Sequence, residues 1–471
     1  MAKPNVLWLS IESARADYTS MGSGRNTTPF FDKLSMNSDG QWFSNCFSHA
    51  RWTPAATTSI LTGTRLSTHK VGFGESDGSV TKLPTELSTI PELLKKKGYT
   101  TALFSGNPYV GNNTGLDRGF DVVHERPEKD DFLSKSGALA GLRHLRDTRT
   151  TGAGLSLNPS RHKDCLRERI QYESFRHWFD TKDDDQPYFA YLHINNPHHP
   201  YRPPLNILKE RLTGEDLSPT EAIRISNGIT NDLWQAVADG CEFSPKEQRA
   251  LEATYEAELT YADYIAKQVF KYAVSRDEDT VVIITGDHGE MFGENGMLGH
   301  NLVLHDGILN VPLITYGLDT GSAQSDDLIQ HADVSKAILD ACGIQNEQFK
   351  QAYNFTHENR DYVVAERGPR PSRADTLAER NPEFDSDSFH WNQLSMIRSR
   401  GWKYQRSSEG EDLFKLPDEE TNIIEEHDKR KDALQSELEV ILSSNNLVVG
   451  TQERMEQDAE TIEQLQNLGY M

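Results

Sequence analysis

Four short stretches of the chain place residues able to do chemistry directly behind apolar runs. Glu12 and Ser13 follow Asn5–Ser10 (NVLWLS), and Asn107 follows Thr100–Ser105 (TTALFS). Asn195, Asn196, His198 and His199 follow Tyr188–Ile194 (YFAYLHI), and Asp287 and His288 follow Thr280–Thr285 (TVVIIT). Glu, Asp and His are hard-to-borderline ligands for a divalent metal. A lone acid behind a strand is more often a helix cap or a solvated loop residue, and Glu12 alone fits either description. Packing explains the Asp287–His288 pair less readily, because it lies between Gly286 and Gly289, which let backbones approach closely.

Thr53 is the fifth candidate. It stands between Trp52 and Pro54, ahead of the small residues Ala55–Ser59 and then Ile60, Leu61, Thr62 and Gly63. A proline in the first turn predicts a helix with Thr53 at or near its N-cap. Ordinary capping accounts for such a Thr. So does a nucleophile at the positive end of a helix, where free N–H groups also bind an oxyanion. A free Thr hydroxyl is a poor nucleophile and needs a base or a metal to become an alkoxide near neutral pH.

These residues need a scaffold that gathers them. Thr89–Lys97 carries helix signals and is stopped by Gly98, Ala250–Val274 has helical periodicity, and Val311–Tyr316 is a further strand. Alternating strands and helices predict an α/β fold with a mostly parallel central sheet and helices on both faces. In such sheets ligands sit at the carboxyl ends of the strands, where the candidates above collect. The polar, loop-like segment from Asn346 to Phe389 marks a boundary. Residues 1–345 are expected to form the main domain, and 346–430 a small C-terminal α+β subdomain with strands in Ser395–Arg406 and Asp412–Leu416. Residues 431–471 are expected to form a helical tail. Leu133–Lys163, basic and Gly-rich, reads as a surface insertion or a lid.

Composition narrows the partners. The chain has 49 Lys+Arg against 72 Asp+Glu, a formal net charge of −23. It has no general electrostatic footprint for nucleic acid or anionic lipid. No stretch reaches the ~18 apolar residues of a membrane span. The N-terminal segment lacks a cleavage site and has Glu12 and Arg15 directly behind a short apolar run, so a cytoplasmic location is expected. The acidity would suit a salt-rich cytoplasm. Cys46, Cys165, Cys241 and Cys342 are scattered without a CxxC, which argues against a disulfide framework or a thiolate zinc site.

Several fragments, in order, resemble the sulfatase family of the alkaline phosphatase superfamily. They are PNVLWLSIESARADY, NTTPFFDKL, TPAATTSILTG, GYTTALFSGNPYVG, YFAYLHINNPHHPYRPP, VVIITGDHGEMFGENGMLGH with LVLHDGILNVPLITYG, and WKYQRSSEGEDLFKLPDEETN. The resemblance implies an alkaline-phosphatase-like fold and a metal-dependent ester hydrolase. It departs from the family at the chemistry. Aligned backwards from Leu61-Thr62-Gly63, Thr53 takes the place of the Cys or Ser that matures to formylglycine, and Ala56 and Thr57 replace the Ser-Arg pair that follows. Thr53 cannot mature in this way, because a methyl group occupies the carbon to be oxidised. The usual Asp-Asp of the first strand is Glu12-Ser13. The family's substrate lysines fall at Asn107 and His300, and a family histidine falls at Tyr109. Glu with a Thr nucleophile and a later Asp-His is similar to the phosphoglycerol and phosphoethanolamine transferase branch.

The resemblance therefore implies one divalent metal (Mn, Zn, Mg or Ca) held by Glu12, Thr53, Asp287 and His288. Thr53 is then the nucleophile. Asn107, His198 and His300 hold the anion, and His198 or His300 protonates the leaving group. His199 and His305 read as bystanders and His193, inside its strand, as structural. The expected substrate is a small anionic ester, a glycan among the candidates, with phosphoester or phosphodiester favoured. The alternatives are a sulfuric ester hydrolase without formylglycine, a phospho-group transferase to a glycan, and a non-catalytic scaffold stabilised by metal.

Overall fold

The computed structural model describes residues 3–74, 79–125, 159–276 and 279–444, together with scattered positions between 450 and 465. Most of the expected insertion Leu133–Lys163 lies outside the described residues.

The strands are β1 (Asn5–Ile11), β2 (Gly40–Phe47), β3 (Thr100–Ser105), β4 (Val122–His124), β5 (Tyr188–Ile194), β6 (Thr280–Gly286), β7 (Met291–Phe292), β8 (Leu298–Gly299), β9 (Asn310–Tyr316) and β10 (Ile329–Gln330). Eight of them form one sheet in the order β10-β2-β9-β6-β1-β5-β3-β4. All its neighbouring pairs are parallel except the two made by β9. β1 is central, and every residue of β1, β5 and β6 is buried. That is the burial expected of parallel strands covered on both faces.

Alternate residues of β1 feed two cores. Leu7, Leu9 and Ile11 pack with Leu251, Tyr255 and Leu259 of the helix Pro245–Val274 and with Phe175 and Trp178 of the helix Pro159–Thr181. Val6 and Trp8 pack on the other face with Ile60, Leu61, Leu93, Leu94 and Ile338. Fully burying a side chain of this size contributes about 1.5–3 kcal/mol. The helix Pro245–Val274 begins five residues before the expected Ala250. Ser244 accepts the Glu247 N–H while Glu247 returns to the Ser244 N–H, and Pro245 follows the cap. This capping box satisfies two N–H groups that the apolar periodicity does not register.

The C-terminal sheet is antiparallel: β11 (Val363–Arg367), β12 (Leu394–Arg398), β13 (Trp402–Arg406) and β14 (Glu411–Lys415). The expected loop Asn346–Phe389 contains β11 and the helix Pro371–Arg380. Polarity hid the helix, which buries only Leu377; β11 is buried throughout but offers only the short apolar run Val363–Ala365 within a polar segment. The helix Asp428–Ser443 lays Leu434 and Leu438 against Val364, Ile397 and Tyr404. β11 also reaches back to the main sheet. Its Glu366 N–H donates to the His49 carbonyl at 3.1 Å, and its Glu366 carboxylate accepts from the Ser67 N–H at 3.0 Å.

One buried acid far from the site tests the packing. Asp263 accepts the N–H groups of Phe30 and Phe31 at 3.0 and 2.9 Å, yet burial outweighs these bonds and pushes its carboxyl up to about 7. An acid whose folded pKa lies above its unfolded value stabilises fully below the unfolded pKa and loses that contribution as pH rises through the folded one. Wild-type stability relative to Asp263→Asn is therefore expected to fall between about pH 5 and about pH 8 in urea unfolding. A rise over the same range would mean that the two N–H bonds dominate.

Candidate active site

Register alone brings the first candidates together. Ile11 pairs with Ile194 on one side and with Gly286 on the other, so Glu12, Asn195 and Asp287 leave three adjacent strands at the same level. The Glu12 N–H still bonds to the Ile194 carbonyl at 2.9 Å. Ser13 then takes a positive φ of 58°, a strained conformation for a non-glycine residue, of a kind that collects at functional sites. It is held there from both sides. Its N–H donates to Asp287 Oδ1 at 3.0 Å, and its carbonyl accepts from the Tyr255 hydroxyl at 2.8 Å. Gly289 is required for packing, since a Cβ there would lie 2.1 Å from the Gly307 carbonyl oxygen.

The helix Thr53–Thr62 is buried along its whole length. Its N-cap is Trp52, whose carbonyl accepts the Ala56 N–H at 3.0 Å. Thr53 is thus the first helical residue and not the cap. Its hydroxyl donates to Glu12 Oε1 at 3.2 Å and lies 3.2 Å from His288 Nε2. His288 Nδ1 lies 2.9 Å from the Gly289 carbonyl, which places the ring proton on Nδ1 and leaves the Nε2 lone pair facing Thr53. Asp287 Oδ2 is buried with no hydrogen-bond partner, 3.6 Å from that Nε2.

Glu12, Thr53, Asp287 and His288 are all 0 % exposed. Two carboxylates, one imidazole lone pair and a hydroxyl converge there, and one carboxylate oxygen has no donor. The set fits a divalent cation in donor type and in its orphaned oxygen.

The other candidates divide. Asn107 Nδ2 donates to Glu12 Oε1 at 2.8 Å, and Oδ1 accepts the Tyr109 N–H at 2.9 Å, so the short amide reaches the buried carboxylate. His193, expected to be structural, approaches Glu12 Oε2 at 3.1 Å. Burial lowers its pKa, but the bond to Glu12 outweighs that and leaves it raised. His198 and His300 face one another with ring centroids 5.1 Å apart. His300 stacks toward His288 at 4.4 Å, and His198 Nε2 is 3.9 Å from Glu12 Oε1.

His199, expected to be a bystander, completes a cluster with His198 and His300 in which one ring nitrogen from each lies within 4.8 Å of the others. Three imidazoles so close could also hold a cation. Burial lowers all three pKa values, with His198 part-compensated by Glu12. His300 Nδ1 lies 3.0 Å from Glu290 Oε1, whose carboxyl burial pushes well up. His305 lies elsewhere, 3.8 Å from Glu419. It borders a cleft of about 830 Å³ that none of Glu12, Thr53, Asp287 or His288 lines.

With this geometry in place, comparison with known proteins is informative. Residues 4–344 match the family Sulfatase, and the chain belongs to that family. It is 24% identical over 280 residues to arylsulfatase K of Canis lupus familiaris, covering 52% of this chain and 49% of that protein. The chain thus spans about half the length of that relative. A shorter match, 29% identical over 132 residues, joins it to lipoteichoic acid synthase 2 of Bacillus subtilis, covering 26% of this chain and 19% of that protein. Among solved structures it superposes on the phosphonate monoester hydrolase of Agrobacterium radiobacter with a TM-score of 0.69 at 20% identity, covering 94% of this chain and 96% of the other. That likeness shows the α/β fold. Among the described residues, no helix is long and apolar enough to cross a membrane.

Asn107 and His193 orient Glu12, as partners of metal ligands do. Replacing Asn107 by Leu is expected to weaken divalent-metal binding by roughly 10- to 100-fold with the fold unchanged. Calorimetric titration with Mn²⁺ checks this, and unchanged affinity would remove Asn107 from the site's support.

Proposed function

We propose that this sulfatase-family chain is a metal-dependent ester hydrolase working through a covalent intermediate on Thr53, with phosphoesters or phosphodiesters preferred. The observation that carries this reading is the Thr53 hydroxyl at 3.2 Å from both Glu12 Oε1 and His288 Nε2. Glu12, Thr53, Asp287 and His288 would hold the metal. A divalent cation bound by them would supply Lewis acidity, lowering the pKa of the Thr53 hydroxyl and drawing charge from an ester oxygen.

Thr53 Oγ1 attacks phosphorus in line, the bond to the leaving oxygen breaks, and water or an acceptor alcohol then cleaves the Thr–phosphoryl bond. His300 holds the anion through its ring N–H. His198 Nδ1 is engaged by the His199 carbonyl at 2.5 Å, so its Nε2 faces the site as an acceptor. His300 is the better donor. Burial raises the Glu290 carboxyl, which lies 3.0 Å from Nδ1; a proton on Glu290 keeps the His300 proton on Nε2, and as that proton passes to the leaving oxygen the Glu290 proton moves onto Nδ1, leaving the ring neutral.

Thr53 favours phosphorus over sulfur for a chemical reason. Formylglycine hydrate releases sulfate by elimination from a geminal diol, and a threonine ester has no second hydroxyl on that carbon. A sulfated Thr53 would need water to attack sulfur. Likeness to arylsulfatase K favours a second reading, in which the same Thr53 opens a sulfate ester. A panel of aryl sulfate, phosphate monoester, phosphodiester and phosphonate ester separates the two.

Thr53→Ala is expected to lower kcat on the preferred ester by at least roughly a thousandfold, with metal content and circular dichroism retained. Thr53→Ser is expected to keep a measurable fraction. Unchanged turnover in Thr53→Ala would end the nucleophile assignment.

A further inference from the structure

Two buried arginines, Arg15 three residues after Glu12 and Arg51 two before Thr53, differ in what surrounds them. Arg15 is buried and fully paired: Nε and Nη2 reach the two Asp17 oxygens at 2.9 and 2.8 Å, and Nη1 reaches Glu294 at 2.7 Å. Arg51 is just as buried, at 2 % exposure. Its Nη1 donates to the His300 carbonyl at 2.9 Å and to Asn301 Oδ1 at 3.5 Å. Among the described residues no carboxylate lies within ion-pair distance of it. Among the described residues, the charges that act on it most are those of three more arginines, Arg370, Arg367 and Arg373. Burial and these like charges push the Arg51 guanidinium well below its usual range. A buried cation surrounded by cations is costly to keep, and in a chain of net charge −23 acidic partners are not scarce.

The cluster is aimed by aromatic packing. Arg51 lies 5.1 Å from the Trp52 ring centroid and Arg370 5.6 Å from the same ring. Trp52 in turn meets Tyr109 edge-on at 5.6 Å. Trp52 is the N-cap of the helix that begins with Thr53, and the Arg51 head rests on the backbone of His300. Arg51 thus stands two residues before Thr53 and rests on the backbone of His300, whose ring lies 4.4 Å from that of His288, while Arg370 keeps Nη1 on the Gly74 carbonyl at 3.2 Å.

Charge explains why the site would need it. A divalent cation held by the Glu12 and Asp287 carboxylates would have its charge largely cancelled and would offer little net attraction to an anionic substrate. The positions of the family's cationic contacts hold Thr57, Asn107 and His300. We infer that Arg51 and Arg370 form the anion-recognition site that replaces them, and that they select substrates carrying two negative charges at or beside the reacting ester over those carrying one. The second charge can sit on the reacting group, as in a phosphate monoester, or on a neighbouring carboxylate, sulfate or phosphate. Guanidinium forks match any of these bidentately.

This inference rests on the ester-hydrolase reading, and its test separates the two. Metal-loaded protein is titrated calorimetrically with methylphosphonate and with phosphonoacetate, which adds a carboxylate to the same phosphonate. Phosphonoacetate is expected to bind the wild type roughly 10- to 100-fold more tightly. Arg51→Gln and Arg370→Gln are expected to erase that advantage, and Arg51→Lys to keep part of it. In parallel, kcat/KM on p-nitrophenyl phosphate is expected to fall in both Gln variants by roughly tenfold more than on p-nitrophenyl methyl phosphate. This second comparison distinguishes a charge on the reacting group from one beside it. The inference is overturned where the wild type shows neither the phosphonoacetate advantage nor the preference for the phosphate monoester, or where both Gln variants keep whichever preference the wild type shows. Methylphosphonate failing to bind would count against the phosphoryl reading instead, and loss of phosphonoacetate binding in Arg51→Gln would still identify the anion site. The thermal midpoint of Arg51→Gln is expected not to fall, because no carboxylate loses its partner; a collapse in Arg51→Gln and Arg370→Gln alike would overturn the assignment by making both arginines structural.

Discussion

One fully buried carboxylate organises the site. Glu12 is out of contact with solvent, and a lone ion in that position would cost several kcal/mol. Its oxygens are met by the Asn107 amide, the His193 ring and the Thr53 hydroxyl. These come from β3, from β5 and from the helix that begins at Thr53, so the carboxylate links three elements around the end of β1. Parallel pairing of β1 with β5 and β6 is what lets them meet, because it puts several strand ends at one edge. The left-handed turn at Ser13, held by Asp287 and Tyr255, then turns the chain away and leaves the carboxylate facing Thr53.

Electrostatic sign is divided between surface and site. Total charge speaks against anionic partners, yet Arg51, two residues before Thr53, feels the like charges of Arg367, Arg370 and Arg373. Long-range repulsion between an acidic surface and a small anion is screened within roughly 8–10 Å at ordinary ionic strength. Local cations, desolvated and close, are screened far less. A net charge of −23 therefore bears on solubility and on large polyanions and says little about one ester group.

Much of the metal-type constellation was legible in the sequence because it obeys a rule of the fold. Glu12, Asp287 and His288 each follow an apolar run of strand length, and parallel sheets gather such positions. His193 was not legible, since β5 is buried on both faces and gives no period by which to tell a pocket side from a packed one. Asn107 was correctly placed at the sheet edge, but whether a short amide turns to the carboxylate or to the ligand depends on distances that spacing does not give. β2 mixes polar and apolar residues and offered no clear period. Polarity likewise hid β11 and the helix that follows it, and with them Arg370. Arg51 and Arg370 lie far apart in the chain and meet only because β11 returns to the His49 carbonyl.

The proposed chemistry turns on a covalent bond between Thr53 Oγ1 and the substrate's phosphoryl group. Rapid-quench turnover of the metal-loaded protein with its best phosphoester, followed by peptide mass analysis, looks for that bond. Phosphothreonine at Thr53 is expected within the first turnover, decaying as product forms. Turnover with Thr53 unmodified at every time point, or with the phosphoryl group on another side chain, would contradict it.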